Sequence, residues 1–130
     1  MSEAVLDASA ILAYLQGERG GDRVVAYLPG ALVSTVNLAE VLTKLCEAGA
    51  PAEEAAQQLA RLEFAVVPFD AGHARLAASL RESTKARGLS LGDRCCLALG
   101  MATGAKVLTA DRSWPDLDIG IAIELIRQAH

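Results

Sequence analysis

The 130-residue sequence predicts an α/β fold: a three-layer α/β/α sandwich around a five-stranded, mostly parallel sheet, with residues 1–130 forming one domain. Two observations carry this expectation. Short apolar runs alternate along the chain with longer segments of helical periodicity, the pattern of successive βα units. Apolar residues make up 52% of the chain but aromatic ones only 4%, so the core must be assembled from Ala, Val, Leu and Ile. That composition suits helices packed over both faces of a buried parallel sheet, and the length suffices for one such core.

The first run, Ala4-Val5-Leu6, stops on a carboxylate, Asp7, and is read as the buried end of strand one. Residues 8–16 follow as a helix. Gly17, Gly20 and Gly21 punctuate the chain before a short helix over 22–28, and Pro29-Gly30 marks a turn. Residues 31–34 form strand two. Over 36–48 apolar residues recur at Val36, Leu38, Ala39, Leu42, Leu45 and Cys46, a helical face that ends near Gly49. Pro51 opens the next helix, with Glu53 and Glu54 in its first turn where they suit the dipole, and it runs to about Leu62. Strand three is 64–67, closed by Pro68. Asp70 caps one long helix over 71–87 that Gly88 ends. Ser90 starts a helix over 91–103, apolar nearly all round and therefore buried, with Gly104 as its stop. Strand four is 106–109, and 119–126 contains strand five.

Composition excludes several classes. No apolar run approaches the ~20 residues that span a bilayer, and no basic start precedes an apolar stretch as in a secretory signal; the expected compartment is the cytoplasm. Cys46, Cys95 and Cys96 are an odd set without Cys-x-x-Cys spacing, which argues against a disulfide framework or a zinc site and for buried, reduced thiols. A net charge of −4 argues against a surface coated with positive charge for nucleic acid, while leaving room for a local basic rim.

Four acids are expected on one edge of the sheet. Asp7 ends strand one, Glu40 lies in the opening turns of the helix after strand two, and Asp111 comes two residues after strand four. Asp93 begins the helix that leads into strand four, and a helix running back along a parallel sheet starts at the C-terminal edge of its strands. In open α/β sheets ligands bind at that edge. Each acid also has a local explanation. Asp7 fits a helix cap, Asn37-Leu38-Ala39-Glu40 and Ser90-Leu91-Gly92-Asp93 both fit a capping box, and Asp111 fits a turn. Four caps, however, need not converge on one place. Crowded carboxylates raise one another's pKa unless a cation sits among them. Oxygen-only ligands favour Mg²⁺ or Mn²⁺ over zinc, and such an ion can activate water and stabilise charge on a phosphate.

These segments, Val5-Leu6-Asp7-Ala8-Ser9, Asn37-Leu38-Ala39-Glu40-Val41, Leu89-Ser90-Leu91-Gly92-Asp93 and Leu108-Thr109-Ala110-Asp111, resemble the ordered motifs of the PIN-domain nucleases. Within that family they are most similar to the VapC-type toxins of bacterial toxin–antitoxin pairs. The resemblance spans nearly the whole chain. It implies a five-stranded parallel sheet between helices, Mg²⁺- or Mn²⁺-dependent cleavage of RNA, a homodimer, and a small antitoxin whose tail blocks the acidic pocket. It also implies that Asp7, Glu40, Asp93 and Asp111 are the catalytic, metal-binding quartet. Asp7 and Asp93 would be the most direct ligands, while Glu40 and Asp111 would complete the shell, position water or hold a second ion. Ser9 and Thr109 match the small hydroxyl positions beside those acids, where local backbone bonding is the competing role.

Arg94 and Arg112 directly follow two of the acids and are candidates for RNA backbone contacts, with an ordinary ion pair as the alternative. Arg81, Lys85, Arg87 and Lys44 read as solvated charges. Asp116 and Asp118 are candidates for an extra acid against a default of solvated turn residues. His73 reads as structural, Trp114 as packing over the sheet edge, and His130 as a free terminus. Rival functions are a PIN nuclease of RNA processing without an antitoxin, a catalytically silent PIN scaffold, and a receiver-like phosphoacceptor module. The last needs paired acids at strand one and a lysine after the last strand; here Asp7 stands alone and Arg127 follows Ile126.

Overall fold

β1 (Ala4–Leu6) is the middle strand of the sheet and is buried along its whole length in the computed structural model, which describes residues 3–127. His130 lies outside the described residues. The chain leaves β1 through α1 (Ala8–Leu15) and α2 (Gly21–Val25) and returns as β2 (Leu32–Ser34). It then runs through α3 (Thr35–Glu47) and α4 (Ala52–Ala60) to β3 (Ala65–Val67). A long crossing through α5 (Ala71–Ser79), α6 (Arg81–Thr84), a 3-10 turn (Lys85–Arg87) and α7 (Leu91–Thr103) brings it to β4 (Lys106–Thr109), and β5 (Ile123–Leu125) closes the order. The five strands lie in the order β3-β2-β1-β4-β5. Every pairing is parallel, with Val5 opposite Leu32 on one side and Val107 on the other. The sheet expected to be mostly parallel is parallel throughout.

Alternating side chains divide the core into two layers, as the strand period of two requires. Ala4, Leu6, Val33 and Leu108 face α1 to α4, against Ile11, Val24, Val41 and Leu59. Val5, Leu32 and Val107 face α7, against Cys96, Leu97 and Leu99, with Trp114 and Leu117 closing that layer. α5 packs on α7 from outside. The first two crossings therefore use one face and the third the other. The direction of winding reverses between β1 and β4, and in an open parallel sheet this opens a crevice beyond the C-terminal strand ends.

Three local expectations need correction. The helix expected over 71–87 breaks at Leu80 (φ −82°, ψ −8°). There the Leu80 carbonyl keeps its backbone bond from Thr84 N at 3.1 Å and also accepts from the hydroxyls of Thr84 and Ser83 at 2.8 and 3.2 Å. α3 is capped by Ser34, whose Oγ accepts from Val36 N at 3.2 Å, so Asn37 lies inside the helix rather than capping it. The buried stripe of α3 runs Asn37, Val41, Leu45, and Cys46 is exposed, unlike Cys95 and Cys96. All three cysteines are free. No described helix is long and apolar enough to cross a membrane.

Candidate functional site

Asp7 leaves the buried end of β1 and caps α1, its Oδ1 accepting from Ala10 N at 2.8 Å. Asp7 is only 4% exposed, and its carboxylate is held from three sides. Ser9 Oγ donates to both oxygens at 2.8 and 2.9 Å, and Thr109 Oγ1, at the end of β4, donates to Oδ2 at 2.6 Å. The two hydroxyls also tie the neighbouring strand end into the site. Ala110 N donates to Ser9 Oγ at 2.9 Å, and Asp111 N donates to Thr109 Oγ1 at 3.0 Å. Asp7 and Asp111 are thus joined through one hydroxyl across the β1–β4 switch. Burial pushes the Asp7 carboxyl up from 3.8 to about 6; the bonds from Thr109, Ala10 and Ser9 counter it, and the charge of Asp93 adds to the rise.

Asp93 sits in the first turn of α7 within a reciprocal capping box. Its Oδ2 accepts from Ser90 N at 2.9 Å, and its own N–H donates to Ser90 Oγ at 3.1 Å. Glu40, on the second turn of α3, accepts at Oε1 from Asn37 Nδ2 at 2.8 Å. The same Asn37 nitrogen donates to the Gly92 carbonyl at 3.1 Å, which fastens α3 to the turn that carries Asp93. Asp7, Asp93 and Glu40 all act on Cys96, the buried thiol beneath them. Burial first, and then these three charges, drive it well above its ordinary value, so it stays protonated. Asp111 is exposed, its Oδ1 accepting from Ser113 N at 2.9 Å and Ser113 Oγ at 2.7 Å.

The local explanations from sequence and the shared location therefore coexist: Asp7 and Asp93 cap helices, Asp111 shapes a turn, and all four lie along the C-terminal edge. Each carboxylate accepts from a donor within three residues of it in sequence. Among the described residues no group of three or more Asp, Glu, His or Cys side chains is gathered closely enough to hold a metal ion.

The flanking residues divide. Arg94 Nη1 donates to the Ala77 carbonyl at 3.0 Å, which anchors the guanidinium to α5, whereas Arg112 is exposed. Asp116 is paired with Arg87, whose guanidinium holds its carboxyl below the ordinary range, and Asp118 is exposed. Trp114 is fully buried and packs in the core. His73 packs edge-on against Phe69, with ring centroids 5.9 Å apart. Sequence reasoning missed Asn37 and Gly92 as parts of the site. The Asn37–Glu40 spacing of three, a helical neighbour pair, was the available signal.

A family model described as the PIN domain matches residues 4–120. No curated protein sequence matches the chain. Among solved structures, a toxin-antitoxin complex from Klebsiella pneumoniae superposes with a TM-score of 0.76 at 18% identity, covering 97% of this chain and 99% of that one. A DNA-bound VapBC from Salmonella typhimurium gives 0.73 at 18% identity, with the same coverages of 97% and 99%. VapC20 of Mycobacterium tuberculosis, described as a sarcin-ricin loop cleaving toxin, gives 0.70 at 19% identity, covering 92% and 98%. At such identities the likeness is one of fold.

Proposed function

The chain belongs to the PIN-domain family, and from that premise we propose that it is a Mg²⁺- or Mn²⁺-dependent endoribonuclease, the toxin of a toxin–antitoxin pair. The observation that carries the reading is the buried Asp7 at the β1–β4 switch, raised to about 6 in part by the charge of Asp93 and joined through Thr109 to the backbone of Asp111.

The donor set suits a hard divalent ion. Carboxylates and hydroxyls are available, and the Cys96 thiol beneath them stays protonated. Asp7 and Asp93 would hold the ion, with Glu40 and Asp111 completing its shell or ordering water. When bound, such an ion supplies an acidified water and charge stabilisation at a phosphate. Ser9 and Thr109 fix the Asp7 carboxylate before any ligand arrives, which reduces reorganisation. Asp111, exposed at the rim, can take a proton from attacking water and release it to solvent. Arg112, exposed beside Asp111, would meet an RNA phosphate, while Arg94 steadies α7 against α5.

A cognate antitoxin is supported by the complexes among the structural relatives, and in this reading the protein acts in the cytoplasm as a homodimer. Cleavage of a structured RNA should require Mg²⁺ or Mn²⁺ and be lost in Asp7→Asn and Asp93→Asn, both of which remain folded. Equal cleavage by the wild type and either variant would reject the mechanism.

A further inference from the structure

Asn37 is 1% exposed, and its orientation follows from chemistry alone. The groups at 2.8 and 3.1 Å from its side-chain nitrogen are a carboxylate oxygen and a carbonyl oxygen. Both only accept, so the amide must present its NH₂ to them. That leaves Oδ1 buried without a donor, a cost that an apolar residue at this position of the α3 stripe would avoid. What the amide gives instead is a bridge between two helices that carry two different acids. On the facing side, α7 has a glycine where any side chain would collide: a Cβ added at Gly92 would overlap the Glu40 carboxylate and come within 2.6 Å of its Cδ. The carboxylate therefore lies against Gly92 in the first turn of α7, one residue before Asp93.

We propose that Asn37 is the positioning residue for Glu40: with Gly92 it clamps the Glu40 carboxylate onto the first turn of α7, fixing the spacing between Glu40 and Asp93. This rests on the acidic edge being the ion site proposed above. Glu40 is otherwise a long side chain on the second turn of α3, free to sample several rotamers. The clamp removes that freedom at the end that matters, so an arriving ion meets two carboxylates already set relative to each other. Asn37 touches neither ion nor substrate; it acts through Glu40.

The test has two arms. Mn²⁺ affinity is measured by calorimetry for the wild type, Asn37→Ala, Asn37→Asp and Gly92→Ala, and for Asn37→Ala in a Glu40→Gln background, with Tm of the metal-free proteins as the folding control. We expect about tenfold weaker binding in Asn37→Ala and Gly92→Ala, a greater loss in Asn37→Asp, and no further loss when Asn37→Ala is added to Glu40→Gln. Wild-type affinity in Asn37→Ala, or an equal loss in both backgrounds, would overturn the proposal. In the second arm, the Asn37 side-chain amide resonances of the metal-free protein should move on Glu40→Gln and stay in place on Asp111→Asn. If the wild type binds no Mn²⁺ but this coupling is present, the ion reading fails and the clamp stands. If Mn²⁺ binds and the coupling is absent, the clamp fails alone.

Discussion

Replacing Asp7 by Asn should make the metal-free protein more stable at neutral pH while removing its activity. The carboxyl titrates at about 6 in the fold against an ordinary value of 3.8, so the folded state holds its proton more tightly than the unfolded chain. Stability is therefore lost as pH rises from about 4 to about 6, and the loss is complete above that. At about 1.4 kcal/mol per pH unit over this interval, ionised Asp7 costs the fold about 3 kcal/mol at pH 7. Asparagine carries no charge and keeps the cap, its Oδ1 accepting from Ala10 N as the aspartate does. Its Nδ2 would face Thr109 Oγ1, which must then accept rather than donate, at a cost of about 1 kcal/mol. The net gain is about 2 kcal/mol, or on the order of 5–10 °C in Tm for a domain of this size. Denaturant melts in EDTA between pH 4 and 8, taken as the difference between variant and wild type, cancel every other titrating group. The difference should be near zero or slightly unfavourable to the variant at pH 4, grow to pH 6, and then level off. A variant less stable than wild type at pH 7.5, or a difference independent of pH, would refute the reasoning. A gain in stability with loss of cleavage is the usual trade at a functional site.

Two further outcomes follow from the same geometry. Thr109→Val removes the 2.6 Å bond that lowers the Asp7 carboxyl, so the pH at which stability levels off should move above that of the wild type, read by the same melts. Asp116→Asn breaks only the pairing with Arg87 at the surface; Mn²⁺ affinity and cleavage should stay at wild-type levels, and a loss of either would assign Asp116 to the ion site.

The architecture was legible because its signals are local. Short runs of three or four residues marked the first four strands and a longer span, 119–126, contained the fifth, and Gly88 and Gly104, both left-handed here at φ +69° and +73°, marked helix stops as only glycine readily does. The placement of each acid at a strand end or near a helix start on the C-terminal edge was legible from topology; that placement does not by itself gather three of them closely enough for an ion, and none such is found among the described residues. What escaped was tertiary. Ser34 and Asn37 are both competent caps three residues apart, and only the point where β2 ends decides between them. How the helix packs on the sheet, and not the cap, sets which face is buried, and that face carries Asn37 and leaves Cys46 exposed. The approach of Glu40 to Gly92 joins residues 52 positions apart, and no periodicity encodes it. The break at Leu80 lies in its own backbone angles, φ −82° and ψ −8°, and no Gly or Pro stands there to mark it.

The central claim is that Asp7, Glu40, Asp93 and Asp111 serve one shared ion. Diffraction at the manganese edge from crystals soaked in Mn²⁺ tests it most directly. The account predicts an anomalous peak beyond the C-terminal ends of β1 and β4, within about 2.5 Å of carboxylate oxygens of Asp7 and Asp93, with Glu40 and Asp111 around it and the peak lost in Asp7→Asn. A saturated soak that leaves this edge without a peak, or puts the ion on other carboxylates, would contradict it.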